Sequence, residues 1–287
     1  MTESLPYVQE IAGSPITIQP YQFNDAELAW FFLKCDENAI NGLLDRFINL
    51  PSQGAASYHC LAFDGVTDVI MIMSKMTFAV RLSEAVVCGN ETYHELSFWI
   101  PCVDRQSGQP ALFLPFLFPD SFSAIATGRE VYGFFKTPAS FQVTGKGKGG
   151  DEALMLDPRF SASAVGFRKF GRDETARLYE FLKVEFPAGS GASEIAASES
   201  PAPTTGILRD QLAPVLGRLL AGATAAARSL VVAPPPDSAL ARLIGALSGL
   251  AGARLEEGFI GLVNALLDLC PAIFLKQFPS IGDARLA

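Results

Sequence analysis

Gly128-Arg129-Glu130-Val131-Tyr132-Gly133-Phe134-Phe135-Lys136-Thr137-Pro138 is the stretch on which the reading of this chain turns. Apolar, strand-like sequence lies upstream, an aromatic pair precedes the lysine, and a proline follows two places on. The pattern reads as a strand that ends in Lys136. A lysine there is unusual, because burying an ammonium is expensive unless it is paired or neutralised. If the side chain points inward, the cheapest relief is loss of the proton, which leaves an amine able to attack a carbonyl carbon. If it points outward, it is an edge-strand lysine whose stem lies on apolar surface and whose head reaches water.

Outward from that stretch, the sequence from Tyr58 to Phe141 reads almost entirely as strand. Tyr58–Phe63, Val69–Met73, Met76–Arg81, Glu84–Val87, Leu96–Ile100 and Ala111–Phe118 are apolar runs separated by Gly, Asp, Asn and Pro. Their spacing favours an antiparallel curved sheet or barrel over alternating strand and helix. Before them, Leu28 to Lys34 reads as a strand. Asp36 is placed as the N-cap of a helix carrying Ile40, Leu43, Leu44, Phe47 and Ile48, which Pro51 stops. After them, Phe141–Val143 and Ala153–Leu156 continue the sheet. The tract Gly145 to Gly150 reads as a hairpin tip, since it lacks the Gly-Lys-Ser/Thr ending of a phosphate loop. Asp173 is expected to cap a short helix with Leu178, Phe181 and Leu182.

The composition changes at Pro187. Residues 187–205 are Ala, Gly, Ser, Pro and Glu with one large apolar side chain, the signature of a disordered linker. A helical insertion over residues 206–269 follows. Leu208, Leu212, Val215 and Leu219, then Leu240, Leu243, Leu247 and Leu250, recur at helical spacing on either side of Pro234-Pro235-Pro236. These helices are expected to pack on one another or on the sheet, with Arg209, Arg218, Arg228, Arg242 and Arg254 on the wet face; the alternative is a membrane surface. Residues 270–287 are expected to hold a strand, Ile273 to Phe278, returning to the sheet. The fold class is thus α+β, mainly an antiparallel curved sheet over residues 1–186, with a helical insertion.

Bulk properties narrow the partners. With 287 residues, 49% of them hydrophobic, one or two domains can bury a full core. A net charge of -8 and no basic cluster beyond Lys146-Gly147-Lys148 argue against nucleic acid. Five scattered cysteines without a CxxC pair fit reduced thiols in the cytoplasm. His59 and His94 are in no metal-ligand spacing, so no metal is expected. The most apolar window, Phe259 to Leu275, is broken by Asp268 and Pro271 and reads as a buried helix, not a membrane span. The N-terminus has no readable signal peptide.

Gly128-Arg129-Glu130, an aromatic pair and then Lys136 resemble the signature of the acetoacetate decarboxylase family. Pro20-Tyr21-Gln22-Phe23 resembles that family's Pro-Tyr-x-Phe segment, and Glu84-Ala85 its strand glutamate. Phe274-Leu275-Lys276-Gln277-Phe278 is similar to a stretch that larger decarboxylase-like proteins carry after an insertion. Such relatives continue where this chain stops at Ala287, which leaves open that it is incomplete. The resemblance implies that Lys136 forms a Schiff base with a small keto acid and that no cofactor is needed. It also implies that Glu84 orients substrate or shuttles protons, and that the protein forms a homo-oligomer. An exposed strand position is the alternative for Glu84. Phe134, Phe135 and the Phe113–Phe118 run would supply desolvation. Strand alternation would put Arg129 and Glu130 on opposite faces; structural roles are favoured for both, and Arg129 also offers a carboxylate clamp.

Two positions depart from the family pattern. Thr137 stands where the decarboxylases have a second lysine, and Asn24-Asp25-Ala26 where an arginine is characteristic. Losing both cations weakens the case for an anionic substrate and leaves desolvation alone to keep the amine neutral. The readings are therefore a β-keto acid decarboxylase acting through an imine on Lys136, an imine-based aldolase or dehydratase, or a catalytically silent ligand-binding protein.

Overall fold

The computed structural model describes residues 21–81, 87–145, 154, 159–166, 177–185, 205–230, 235, 237–250 and 272–273. The linker, Glu84, Asp173, most of the Gly145–Gly150 tract and the Phe259–Leu275 window, apart from 272–273, lie outside these residues. So does all of the returning segment beyond Ile273.

The chain is α+β. A long strand, β1 (Tyr21–Asp36), runs antiparallel to β4 (Val66–Arg81), with a bulge between Asn24 and Ala26. Asp36 ends β1 and caps α1 (Glu37–Leu44), its carboxylate accepting from the Ala39 N–H at 2.9 Å. One π-helical turn, Asp45–Asn49, follows. The Asn49 side chain then exchanges hydrogen bonds with the Tyr58 backbone (2.9 and 2.7 Å), setting the start of β2 (Tyr58–Cys60). Between β3 (Ala62–Phe63) and β4, Asp64 and Gly65 both have positive φ, 53° and 73°. Such a two-residue loop matches the right-handed twist of the strands it joins.

β5 (Val87–Asp104) and β6 (Pro110–Pro119) complete the meander, giving the order β1-β4-β5-β6, with β2 beside β5 and β3 beside β4. The runs Val69–Met73 and Met76–Arg81 form one strand, not two. Ser74 continues it because its hydroxyl donates to the Glu95 carbonyl of β5.

Gly128-Arg129-Glu130 belongs to a helix, not to a strand. Ser121 caps α2 (Phe122–Glu130), accepting from the Ala124 N–H at 3.0 Å, and Glu91 of β5 accepts from the hydroxyls of Ser121 and Ser123. Arg129 and Glu130 are therefore neighbours on a helical turn, not opposite faces of a strand.

A second sheet, β7 (Ala139–Val143), β8 (Phe160–Gly166) and β9 (Arg177–Val184), packs on one face of the first. Leu178, Phe181 and Leu182 lie on β9, where a helix is expected from the sequence. Pairing with β8 and the stacking of Phe181 on Phe118, at 4.6 Å between centroids, outweigh the helical spacing.

The opposite face carries α3 (Thr205–Ser229) and α4 (Ala239–Leu250). Their Val215, Leu216, Leu219, Leu240, Leu243 and Leu247 are buried against Ile70, Ile72, Leu112, Leu114 and Leu117. On β4, Ile70 and Ile72 thus meet helices while Met71 and Met73 meet the small sheet, which is why this strand is apolar without interruption. Arg218 corrects the wet-face expectation: it forms a two-pronged pair with Asp68 of β4, at 2.7 and 2.6 Å. Arg228 and Arg242 are exposed as expected. A short β10 (Ala272–Ile273) runs parallel to β6, at the start of the anticipated returning segment. No helix among the described residues is long and apolar enough to cross a membrane.

Candidate active site around Lys136

The site is assembled by sheet register. On the helix-bearing face, Glu95 of β5 stands between Ser74 of β4 and Pro119 of β6, and the next row is Ile72, Ser97 and Leu117. Lys136 extends that second row through an isolated parallel bridge to Leu117, held by the Thr137 N–H donating to the Leu117 carbonyl at 2.9 Å. A chain reversal delivers it there. After α2 the backbone turns through Gly133, whose φ of 74° suits glycine, and the Phe134 N–H donates to the Gly128 carbonyl at 2.8 Å.

Lys136 is only 7% exposed. Its Nζ donates to Glu95 Oε2 at 2.5 Å and lies 5.7 Å from the centre of the Phe134 ring. The amine is therefore inward and enclosed, and its counter-charge is a carboxylate that the sequence reading did not anticipate. Glu84, the expected partner, lies outside the described residues. A carboxylate in hydrogen-bond contact with a buried ammonium can take its proton and return it, the reach that general acid–base work requires.

Tyr93, two residues along β5 on the same face, is buried against Phe78 and Ala124. Burial, and then the carboxylates of Glu95, Glu91 and Asp120, push its phenol far above the usual range and keep it neutral. Glu91, Tyr93, Glu95 and Ser97 form a polar file along one face of a strand whose other face, Leu96 and Phe98, meets the small sheet. In the sequence this alternation marks Glu95 only as facing away from Leu96 and Phe98; that its face is covered and must be paired follows from the register.

The remaining candidates are placed as follows. Phe134 lies beside the amine and also packs against the α3–α4 cluster. Phe135 lies under the Arg129 guanidinium, 5.8 Å from centroid to Cζ. Arg129 donates to the Lys136 carbonyl at 3.2 Å, so it holds the backbone of the lysine. Glu130 is exposed. Among the described residues no group of three or more His, Cys, Asp or Glu side chains is placed to hold a metal ion.

Comparison with known proteins bears on the sequence as a whole. A search of curated proteins gave no match. Among solved structures, the chain is similar to the enduracididine biosynthesis enzyme MppR, at 18% identity over 56% of each chain, with a TM-score of 0.38. It is also similar to an acetoacetate decarboxylase from Legionella pneumophila, at 17% identity over 60% of this chain and 58% of that one (TM-score 0.36). An acetoacetate decarboxylase-like enzyme from Sphingomonas wittichii is 11% identical over 60% of this chain and 76% of that one (TM-score 0.36). The alignments thus span little more than half the length of the first two. The family match covers residues 5–155, more than half of the sequence and all of the segment from β1 to Lys136. On that match, the chain belongs to the acetoacetate decarboxylase family.

Proposed function

We propose that this protein is a Schiff-base-forming lyase that acts on a small keto compound through Lys136. The observation that carries the proposal is the buried Lys136–Glu95 pair, 2.5 Å apart beside the Phe134 ring. Glu95 takes one proton from the ammonium, and the free amine adds to the ketone carbon. Glu95 returns that proton to the carbinolamine hydroxyl, which leaves as water and gives a protonated imine. With a β-keto acid, the bond to the carboxylate breaks, CO2 leaves, and its electron pair moves into the imine to give an enamine. The enamine takes a proton at carbon, and water hydrolyses the resulting imine to release the ketone and restore the amine.

The same imine supports carbon–carbon cleavage or dehydration without CO2 loss. Among the described residues, the charge near Lys136 favours this second reading. Glu95 is in contact, Glu91 and Asp120 act together with it on Tyr93, and Arg129 is directed at a backbone carbonyl and an aromatic ring. An anionic substrate gains little from such surroundings.

The test is exchange of the carbonyl oxygen of acetoacetate, pyruvate and neutral ketones with labelled water, with CO2 release followed in parallel. Imine formation requires exchange that Lys136→Arg abolishes. Exchange with CO2 selects the decarboxylase, and exchange without CO2 selects the second reading. No exchange with any keto compound rejects both and leaves a ligand-binding protein.

A further inference from the structure

Gly128 of the Gly-Arg-Glu motif lies in the last turn of α2 and is buried. Its backbone is not in the left-handed region, so conformational freedom does not account for a glycine there. Space does. A Cβ on Gly128 would stand 2.6 Å from both Cδ and Cε of Lys136 and 3.3 Å from its Nζ; the three nearest atoms all belong to that one side chain.

We propose that Gly128 is a positioning residue for Lys136. Its bare Cα forms the floor over which the lysine stem runs from the bridge at Leu117 to Glu95. The Phe134 ring stands beside the amine, and Arg129 of the same helical turn holds the Lys136 carbonyl. Residues 128 and 129 thus fix the stem and the backbone of one lysine, which gives the motif a mechanical meaning. A side chain at position 128 leaves the helix intact and moves the amine off Glu95. The inference deepens the proposed function and rests on Lys136 as the imine-forming residue, yet its geometry can be tested apart from turnover.

The experiment compares the full chain with Gly128→Ala in three measurements: thermal unfolding, acetic anhydride labelling of Lys136 relative to the exposed Lys34 in the same molecule, and cyanoborohydride capture of acetoacetate. Alanine is the better helix former, but parting the buried Lys136–Glu95 pair outweighs that gain, so the midpoint is expected to fall while unfolding stays cooperative. Labelling of Lys136 relative to Lys34 rises several-fold as the amine leaves its enclosed seat. Capture falls by about 10²-fold, the scale of a misplacement of about 1 Å at a reacting group. Unchanged relative labelling of Lys136 overturns the inference, even if capture is lost. If the parent protein captures no carbonyl compound, the Schiff-base reading fails, and the labelling ratio still decides what Gly128 does. If the alanine variant unfolds, thermal midpoint and labelling are read on Gly128→Ser, and an unfolded serine variant also counts against a floor that touches only one flexible side chain.

Discussion

The Lys136 amine and the Glu95 carboxylate meet at 2.5 Å although they are 41 residues apart in sequence. One comes from an irregular segment after α2 and the other from the middle of β5. Replacing Glu95 by Gln keeps the shape and removes the proton acceptor. Imine capture at neutral pH should fall by about 10²- to 10⁴-fold. The unpaired ammonium should also cost about 3–5 kcal/mol of stability in urea unfolding. Adding Lys136→Met to Glu95→Gln should restore most of that stability but no capture. Undiminished capture by the single variant would remove Glu95 from the chemistry.

The helical insertion is tied to the sheet by charge as well as by apolar contact. Asp68 is 1% exposed and receives Nε and Nη2 of Arg218 in a two-pronged pair. Arg218→Leu leaves a buried carboxylate without its cation and should cost about 3–5 kcal/mol. The double variant Asp68→Leu with Arg218→Leu should recover most of the loss, because both charges then leave the interior together. A double-mutant cycle in urea checks this; a loss below about 0.5 kcal/mol for the single variant would mean the pair adds little.

Sequence pattern carried the α+β class and the position of most strands, since short apolar runs and the turn residues that bound them act locally. It also carried Asp36 as a helix cap, whereas pattern alone left Lys136 open to either direction and only the family resemblance turned it inward. What it could not carry depends on register. Glu95 is an ordinary strand glutamate until β6 and the Leu117 bridge bring an amine to it. The segment from Phe122 to Glu130 has too few large apolar residues to mark a period, and its helix is secured by Ser121 and by the distant Glu91. Arg218 has the spacing of a surface arginine and is drawn inward only because Asp68 is buried beneath it. Leu178 to Leu182 carry helical spacing that strand pairing overrules.

Asp104 closes the turn between β5 and β6. It accepts from the Ser57, Gln106 and Ser107 N–H groups and from the Ser107 hydroxyl. Burial pushes its carboxyl up, and these hydrogen bonds overcome that and hold it below the usual range. The stabilisation is present above the unfolded value of about 3.9 and is lost as pH falls through the lower folded value. Asp104→Asn should therefore be less stable than the parent at about pH 6, and the gap should narrow at about pH 3. Urea midpoints at the two values check it; a gap that is constant with pH would contradict the assignment.

The central claim is that one enclosed amine bonds covalently to a ketone, and the direct measurement is borohydride reduction in the presence of a keto acid panel followed by peptide mass mapping. A stable adduct is expected on the peptide containing Lys136, absent in Lys136→Arg and strongly reduced in Glu95→Gln. No adduct with any member of the panel, or one spread over exposed lysines such as Lys34, would contradict it.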